Sequence, residues 1–499
     1  MYSNTQSDGY RENNAYKRQT LTATANLYAD TKNTFSFVGS FIKIKAFIPS
    51  SLNQETFENT PKLAAPTWNT AQGFEDSRFG LAGISWTHEY SPKLTQKTSI
   101  YTTVRTNDEP RPFNILAEKS TAIGIRSRFI GDSIGNADIT WAIGGELFHE
   151  NANLQTFQNL YLDFPAGTGS VQGVQLTDFD EKRYFYNLFA EMQYQFHSKW
   201  SLSIGINANQ TKFDISNQLS NTPIANGGTF DFDMITSPKV GLVYTPTSSI
   251  SFFGTIAHGF NTPTTEETLL PDGLFNPDLQ PETGWNFEVG SHFQGIQKRL
   301  QGDISCYALA VKNLLVNRRG TEDQFFAVNA GKTSHIGIEA TLKYQWIKNT
   351  NYTLTTTMNT SINRFRFREF IDLDNDYSGN ILTGSPSKTG NLGLLFNHKK
   401  GLSSQLGYQY IGRIPVNDGN TVFSDSYTLL NLNTRYKKTL WKSFDLALFA
   451  GVQNILDERY ASQLQVNASG FGGNAPRYFY PGNPTNFFGG INIKYRVKN

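Results

Sequence analysis

Alternation with a period of two is the dominant pattern along the chain. In residues 200–208, Trp200, Leu202, Ile204 and Ile206 alternate with Ser201, Ser203, Gly205 and Asn207. In residues 444–453, Phe444, Leu446, Leu448, Ala450 and Val452 alternate with Asp445, Ala447, Phe449, Gly451 and Gln453. Near the C-terminus, Ile491, Ile493, Tyr495 and Val497 alternate with Asn492, Lys494 and Arg496. Each segment predicts a strand with one apolar and one polar face. Similar segments recur from end to end, about 19 in all, within the size range of large barrels. Their connections alternate in length. Short links fall at 31–33, 92–94, 197–199, 246–249, 399–401 and 438–441, and long polar loops at 50–78, 150–180, 216–233, 261–282, 368–385 and 457–485. Short turns at one end and long loops at the other are the mark of outer-membrane barrels.

The polar face reinforces this expectation. It carries Ser, Asn, Gln, Gly and Thr, which suit a wide wet or plugged lumen, and it leaves the apolar face to lipid. Rings stand near predicted strand ends (Tyr28, Tyr90, Tyr194, Phe196, Trp200, Trp346, Tyr436, Trp441), as an interfacial girdle requires. The fold class expected is therefore all-β, a transmembrane antiparallel barrel. Composition agrees: aromatics make up 14% and charged residues only 17%, below the roughly 25% of ordinary globular proteins. The net charge of +2 gives no case for nucleic acid. The single cysteine, Cys306, shares a face with Ile304 and Ala308; it excludes a disulfide framework and a multi-cysteine zinc site. No apolar run approaches the roughly 18 residues of a transmembrane helix, and the opening MYSNTQSDGYRENN lacks the basic and apolar regions of a signal peptide. A chain that begins in an outer loop at 7–14 and ends on a descending strand has an odd strand count. Bacterial single-chain barrels are even, and lipid tolerates no unpaired edge, so either the count is off by one or N-terminal strands are missing, and the absent signal peptide favours truncation.

Several segments, spread over nearly the whole chain, resemble TonB-dependent receptors. In 237–290 a strand ends in Gly259-Phe260, followed by Thr262-Pro263 and Glu267, then Asn276-Pro277-Asp278-Leu279 and Pro281-Glu282, before a strand with Glu288 and Gly290. Proline and Asn-Pro pairs fix turns in such a loop. VNAGKTSHIGIEATLKY (328–344), YSGNILTGSPSK (377–388) and VQNILDERYAS (452–462) resemble later motifs of the same family, in family order. SDGYRENN and the segment IPSSLNQETFENTPKLAAPTWN resemble the branch that carries ferric citrate and related ferric siderophores. The resemblance implies residues 1–499 as the barrel domain of such a receptor, about 19 of an expected 22 strands, in the outer membrane and as a monomer. It implies an iron(III)–siderophore or ferric citrate-like chelate as cargo, the TonB complex as partner, outer-membrane lipid around the wall, and no cofactor. The family's plug domain, through which TonB acts, has no counterpart in the sequence. The chain also ends Tyr495-Arg496-Val497-Lys498-Asn499, where such barrels usually end in an aromatic residue.

Candidate chemistry narrows the reading further. There is no His-Glu-x-x-His, Gly-x-Ser-x-Gly or phosphate-binding glycine loop, so an enzyme is not expected. Asp372 to Asp376 resembles the start of a calcium loop, but Tyr377 and Thr383 stand where an EF-hand needs Gly and Glu. His258, beside Gly259, reads as an interfacial ring with haem contact as the minor alternative. Strand parity places Arg105, Arg183, Arg413 and Arg319 on lumenal faces near the outer ends of their strands. With Arg11 and Arg111 in loops, they are the candidate ligands for an anionic chelate, through bidentate contacts to carboxylates; the competing reading is pairing with plug or loop carboxylates. Arg126, Arg128 and Arg435 lie nearer the inner ends, where a plug would sit. The alternatives to active import are a passive porin and a receptor for another complex, such as haem or cobalamin.

Overall fold

The computed structural model describes the whole chain except residues 136, 220–226, 265–266, 268–275, 277, 320–324, 373, 441–442, 471–472 and 496–499. Among the described residues one antiparallel sheet holds 21 strand segments. Two of them, Gly227–Asp231 and Ile235–Thr247, pair with successive parts of one partner and form a single broken strand, leaving 20 in the wall. In chain order these are β1 (Tyr2–Ser7), β2 (Tyr16–Tyr28), β3 (Asn33–Phe47), β4 (Phe74–Ser91), β5 (Leu94–Arg111), β6 (Asn114–Ile134), β7 (Ala137–Asn159), β8 (Gln172–His197), β9 (Trp200–Asn217) and β10 (Ile235–Thr247). The second half comprises β11 (Ile250–Asn261), β12 (Glu282–Gly295), β13 (Leu300–Arg319), β14 (Phe325–Lys348), β15 (Tyr352–Glu369), β16 (Lys388–His398), β17 (Leu402–Ile411), β18 (Tyr427–Leu440), β19 (Phe444–Gln453) and β20 (Asn486–Tyr495). Each pairs with its sequence neighbour, as a meander does.

The expected odd count is corrected by β1. Its six residues, Tyr-Ser-Asn-Thr-Gln-Ser, show no apolar alternation, yet they pair with residues 16–21 of β2. Alternation is imposed by lipid on one face, and β1 stands beside the polar outer part of β2. The end strands β1 and β20 do not pair with each other among the described residues. The outer loops join instead: Leu52 and Phe479 exchange both backbone hydrogen bonds, at 2.8 and 3.0 Å, linking the loop after β3 to the loop before β20.

The two faces separate as the pattern predicts. On β5, Ile100 and Val104 are exposed outward while Tyr101 and Arg105 share the opposite face. Outward rows are continuous through the register. Ala25, Phe37, Ile84, Ile100 and Ile125 lie side by side across β2–β6. At the inner end, rings form a girdle: Trp86, His88, Tyr90 and Phe129 touch in series, as do Tyr194, Phe196, Trp200 and Tyr244. Trp441 lies outside the described residues.

One expected loop is shorter than the pattern suggested, and one residue expected in a loop lies on a strand. β7 and β8 run on as a hairpin, so the predicted loop at 150–180 shrinks to 160–171. Above the lipid both faces meet water, alternation disappears, and the ladder is held by polar cross-strand pairs such as Thr156–Thr177 at 2.6 Å. Arg111 is not in a loop; it ends β5, with only two residues between it and the start of β6.

Candidate functional site: the outer vestibule

The candidate arginines distribute around the wall and are mostly engaged. Arg105 on β5 reaches Glu118 on β6 at 3.7 Å. Arg183 on β8 faces its register partner Glu150 on β7 at 3.1 Å, with its guanidinium 5.2 Å over Phe148. Arg111 gives two hydrogen bonds to the Asn114 amide oxygen, at 2.9 and 2.7 Å, and lies 4.0 Å from Glu109. Arg11 is buried and donates to the carbonyl oxygens of Leu63, Ser50 and Pro49, tying the loop after β1 to the loop after β3. Burial pulls its guanidinium down to about 10, against the opposing influence of Tyr480, Glu12 and Tyr10. Arg413, just past β17, is exposed and packs 4.9 Å over the Phe423 ring; no described carboxylate pairs with it. The Arg319 side chain lies outside the described residues.

The loop motif residues tie the outer loops together. Glu282 accepts from the Leu315 N–H at 2.5 Å and from the Asn261 amide at 3.3 Å. Glu267 and Thr264 form a reciprocal pair: the carboxylate takes the Thr264 N–H at 2.7 Å, and the hydroxyl oxygen takes the Glu267 N–H at 3.4 Å. That is the capping-box arrangement. Asn276 accepts from the Asp278 N–H at 3.2 Å, Leu279 and Pro263 are buried, and so is Pro281, the residue before β12. Phe260 is half-buried at the end of β11, and Pro277 lies outside the described residues. Asn329, in the next motif, accepts from the Gln280 N–H and donates to the carbonyl oxygens of Gln280 and Asn313, all within 2.8–2.9 Å. A Cβ at Gly331 would sit 2.3 Å from the Glu369 carbonyl oxygen, so the motif's glycine is required by close approach.

Sequence reasoning missed the strongest charged group of the loops. Arg318 donates to Asp372 at 2.9 Å and to Asp418 at 2.6 Å, with Phe370 5.1 Å beneath it. Asp418 is only 3% exposed and also accepts from the Thr383 hydroxyl at 2.5 Å, while its backbone N–H donates to Asn467. One arginine at the outer end of β13 thus joins the loops after β15 and β17, and Asn467 adds the last loop. Two apolar clusters consolidate the same crown: Phe367, Phe370 and Leu382, and then Val416, Ala468, Tyr478 and Phe479. The remaining candidates resolve simply. Asp372 pairs with Arg318, and no cluster of metal-ligand type occurs among the described residues. His258 shares its face with the exposed Ile256 two residues away, contacts Ser237 at 3.1 Å, and lies beside Trp285, on the outward surface.

Residues 2–455 match a protein family described as TonB dependent receptor-like, β-barrel. The ferrioxamine receptor of Yersinia enterocolitica is 28% identical over 231 residues, which is 45% of this chain and 30% of that receptor. The chain therefore spans less than a third of the length of that relative. Among solved structures, the ferric citrate transporter FecA in its unliganded form superposes with a TM-score of 0.79 at 16% identity, covering 99% of this chain and 72% of that one. The siderophore receptor PiuA of Acinetobacter baumannii gives 0.74 at 14%, covering 99% and 76%. The copper transporter OprC gives 0.75 at 14%, covering 99% and 74%. At these identities the likeness is one of fold.

Proposed function

Because the chain belongs to the TonB-dependent receptor-like β-barrel family, we propose that it forms the wall and outer loops of an outer-membrane importer for an iron(III)–siderophore or a ferric citrate-like chelate. The observation that carries the reading is the family match over residues 2–455, on a 20-strand wall whose apolar face is outward and whose loops form a joined crown. The relative named as a ferrioxamine receptor supports iron chelates over other cargo. A neighbour named as a copper transporter keeps a different metal complex as the alternative.

In this reading the chelate is caught at the outer vestibule, and Arg413 is the residue best placed to meet it. Its ring contact with Phe423 orients the guanidinium fork without consuming its N–H donors, which suits a bidentate carboxylate or hydroxamate oxygen pair. Arg105 and Arg183 contribute only by exchanging Glu118 or Glu150 for the ligand. TonB acts through a plug seated in the lumen, against which Arg126, Arg128 and Arg435 stand. The reaction is transport driven from the inner membrane, with no catalytic step assigned to the wall.

Cells producing the receptor in its native outer membrane, with radiolabelled iron(III) supplied as ferrioxamine or as citrate, provide the test. Saturable uptake that stops on addition of a protonophore is the expected result. Uptake proportional to concentration, indifferent to the protonophore and shared by unrelated small solutes, would identify a passive porin instead.

A further inference from the structure

The outward surface of β2–β6 carries a feature that import does not use. One register row runs Ala23, Gly39, Ala82 and Thr102 across β2–β5. The next row inward holds Ala25, Phe37, Ile84 and Ile100. Small side chains beside branched and aromatic ones leave an open apolar groove of about 610 Å³ on the lipid-facing side, lined by Ala23, Gly39, Ala82, Phe37, Ile84 and Ile100 among others.

Two rows further out on the same strands the chemistry reverses. Lys43 is the direct partner of Arg78, Arg78 of Thr106, and Thr106 of Lys119. These positions share parity with Phe41, Gly80 and Val104, so the three cations point outward, at the outer edge of the apolar band. One row beyond, Lys17 pairs directly with Lys45. Like charges placed opposite each other across strands destabilise a sheet unless something neutralises them. No described carboxylate pairs with Lys43, Arg78 or Lys119. The acidic residues of the same face are otherwise engaged or stand one row away. Asp178 and Asp180 accept from Asn153, while Asp76 and Asp108 neighbour Lys45. With strands about 4.8 Å apart, Lys43 and Lys119 stand about 14 Å apart, wide enough for more than one phosphate.

We infer that this face binds a phosphorylated glycolipid of the outer leaflet, with its phosphates among Lys43, Arg78 and Lys119 and an acyl chain laid along the groove over Ala23, Gly39 and Ala82. The two halves are independent observations, one of charge and one of shape, stacked in the order in which such a lipid presents headgroup and chain. The inference needs the barrel to sit in a bilayer and does not depend on what it transports.

The test uses the receptor purified from outer membranes and reconstituted in phosphatidylcholine bilayers doped with bisphosphorylated lipid A, or with its fully dephosphorylated form. Retained lipid is counted by native mass spectrometry. The parent is expected to retain the bisphosphorylated form selectively. Lys43→Gln with Arg78→Gln and Lys119→Gln should lower that retention at least tenfold. Gly39→Leu fills the groove without changing charge; a Cβ there meets nothing within 4 Å, so the wall itself is not strained. It should lower retention of both forms. Equal retention of the two lipids by the parent, or unchanged retention in a Gly39→Leu protein that still folds, would overturn the inference. Neither readout involves iron, so its failure is separable from failure of the import reading.

Discussion

Replacing Arg318 by Gln should loosen the two outer loops it bridges, those after β15 and β17, while leaving the wall intact. Its partner Asp418 is only 3% exposed, and Arg318 itself 13%. Removing one member of a buried ion pair costs about 3–5 kcal/mol, because the other charge is left without its counter-ion. Asp418 keeps the Thr383 hydroxyl and Arg318 is not fully enclosed, so the lower end applies, about 3 kcal/mol. That corresponds to an opening equilibrium raised on the order of a hundredfold. Asp372 supplies an internal comparison. It binds the same guanidinium at 2.9 Å but is 26% exposed, so Asp372→Asn should cost about 1 kcal/mol, roughly fivefold in opening. Amide hydrogen exchange followed by mass spectrometry separates the two: peptides from 370–387 and 412–426 should lose protection in Arg318→Gln, and those from β5–β9 should not. If Asp372→Asn opens the crown as far as Arg318→Gln, or if Arg318→Gln changes neither loop, burial of Asp418 does not hold the crown together.

Three further outcomes follow from the same geometry. Gly401, in the turn after β16, has φ +98° and a Cβ there would lie 1.8 Å from the Lys437 carbonyl oxygen. Gly401→Ala should cost about 2 kcal/mol or more of strain and lower the heat-resistant folded fraction on a cold gel; an unchanged fraction would count against it. Asn329→Ala removes three hydrogen bonds within 2.8–2.9 Å and should expose the loop between β11 and β12 to protease about tenfold faster. Asp30, in the turn between β2 and β3, is held below the usual carboxylate range first by the Asn33 amide and then by the Lys32 N–H. Its stabilisation is therefore present above the unfolded value of about 3.9 and lost as pH falls through the lower folded one. Exchange at the Lys32 and Asn33 amides, corrected for intrinsic rate, should stay slow at pH 5 and rise only below about pH 4.

The wall was legible because two solvents act on it. Lipid on one face and water on the other write a period of two into β5, β9, β19 and β20, and the register then carries rows such as Ala25–Phe37–Ile84–Ile100 around the barrel. Where water reaches both faces the signal vanishes, which is why β1 and the outer parts of β7 and β8 read as loop. The vestibule was legible only in its turn chemistry. Asn329, Gly331, Glu267 and Glu282 stood out only as parts of segments that resemble the family's motifs, and hydrogen bonds, with close approach at Gly331, give the reason. Arg318 carried no local signal, because its carboxylate partners are 54 and 100 residues away in sequence. Parity favoured its neighbour Arg319 instead, whose side chain lies outside the described residues.

Pairing changes how an anionic chelate must be recognised. An expectation of free arginines predicts long-range attraction, but Arg105 with Glu118 and Arg183 with Glu150 present almost no net charge beyond a Debye length of about 8 Å. A ligand gains from those arginines only by displacing a carboxylate already at hand, so it must offer more charge or a better-matched pair of oxygens than glutamate does. Such exchange favours discrimination over capture rate. Arg413 differs because its described contact is a ring, not an acid, and it can engage an anion without first losing a partner. The crown adds a geometric limit. With the end of β13 and the loops after β15 and β17 joined through Arg318, and the first and last halves bridged by Leu52 and Phe479, these loops cannot close on a ligand independently. Under the import reading, selectivity then rests on a preformed mouth whose exchangeable carboxylates set the entrance requirement, with Arg413 as the first contact.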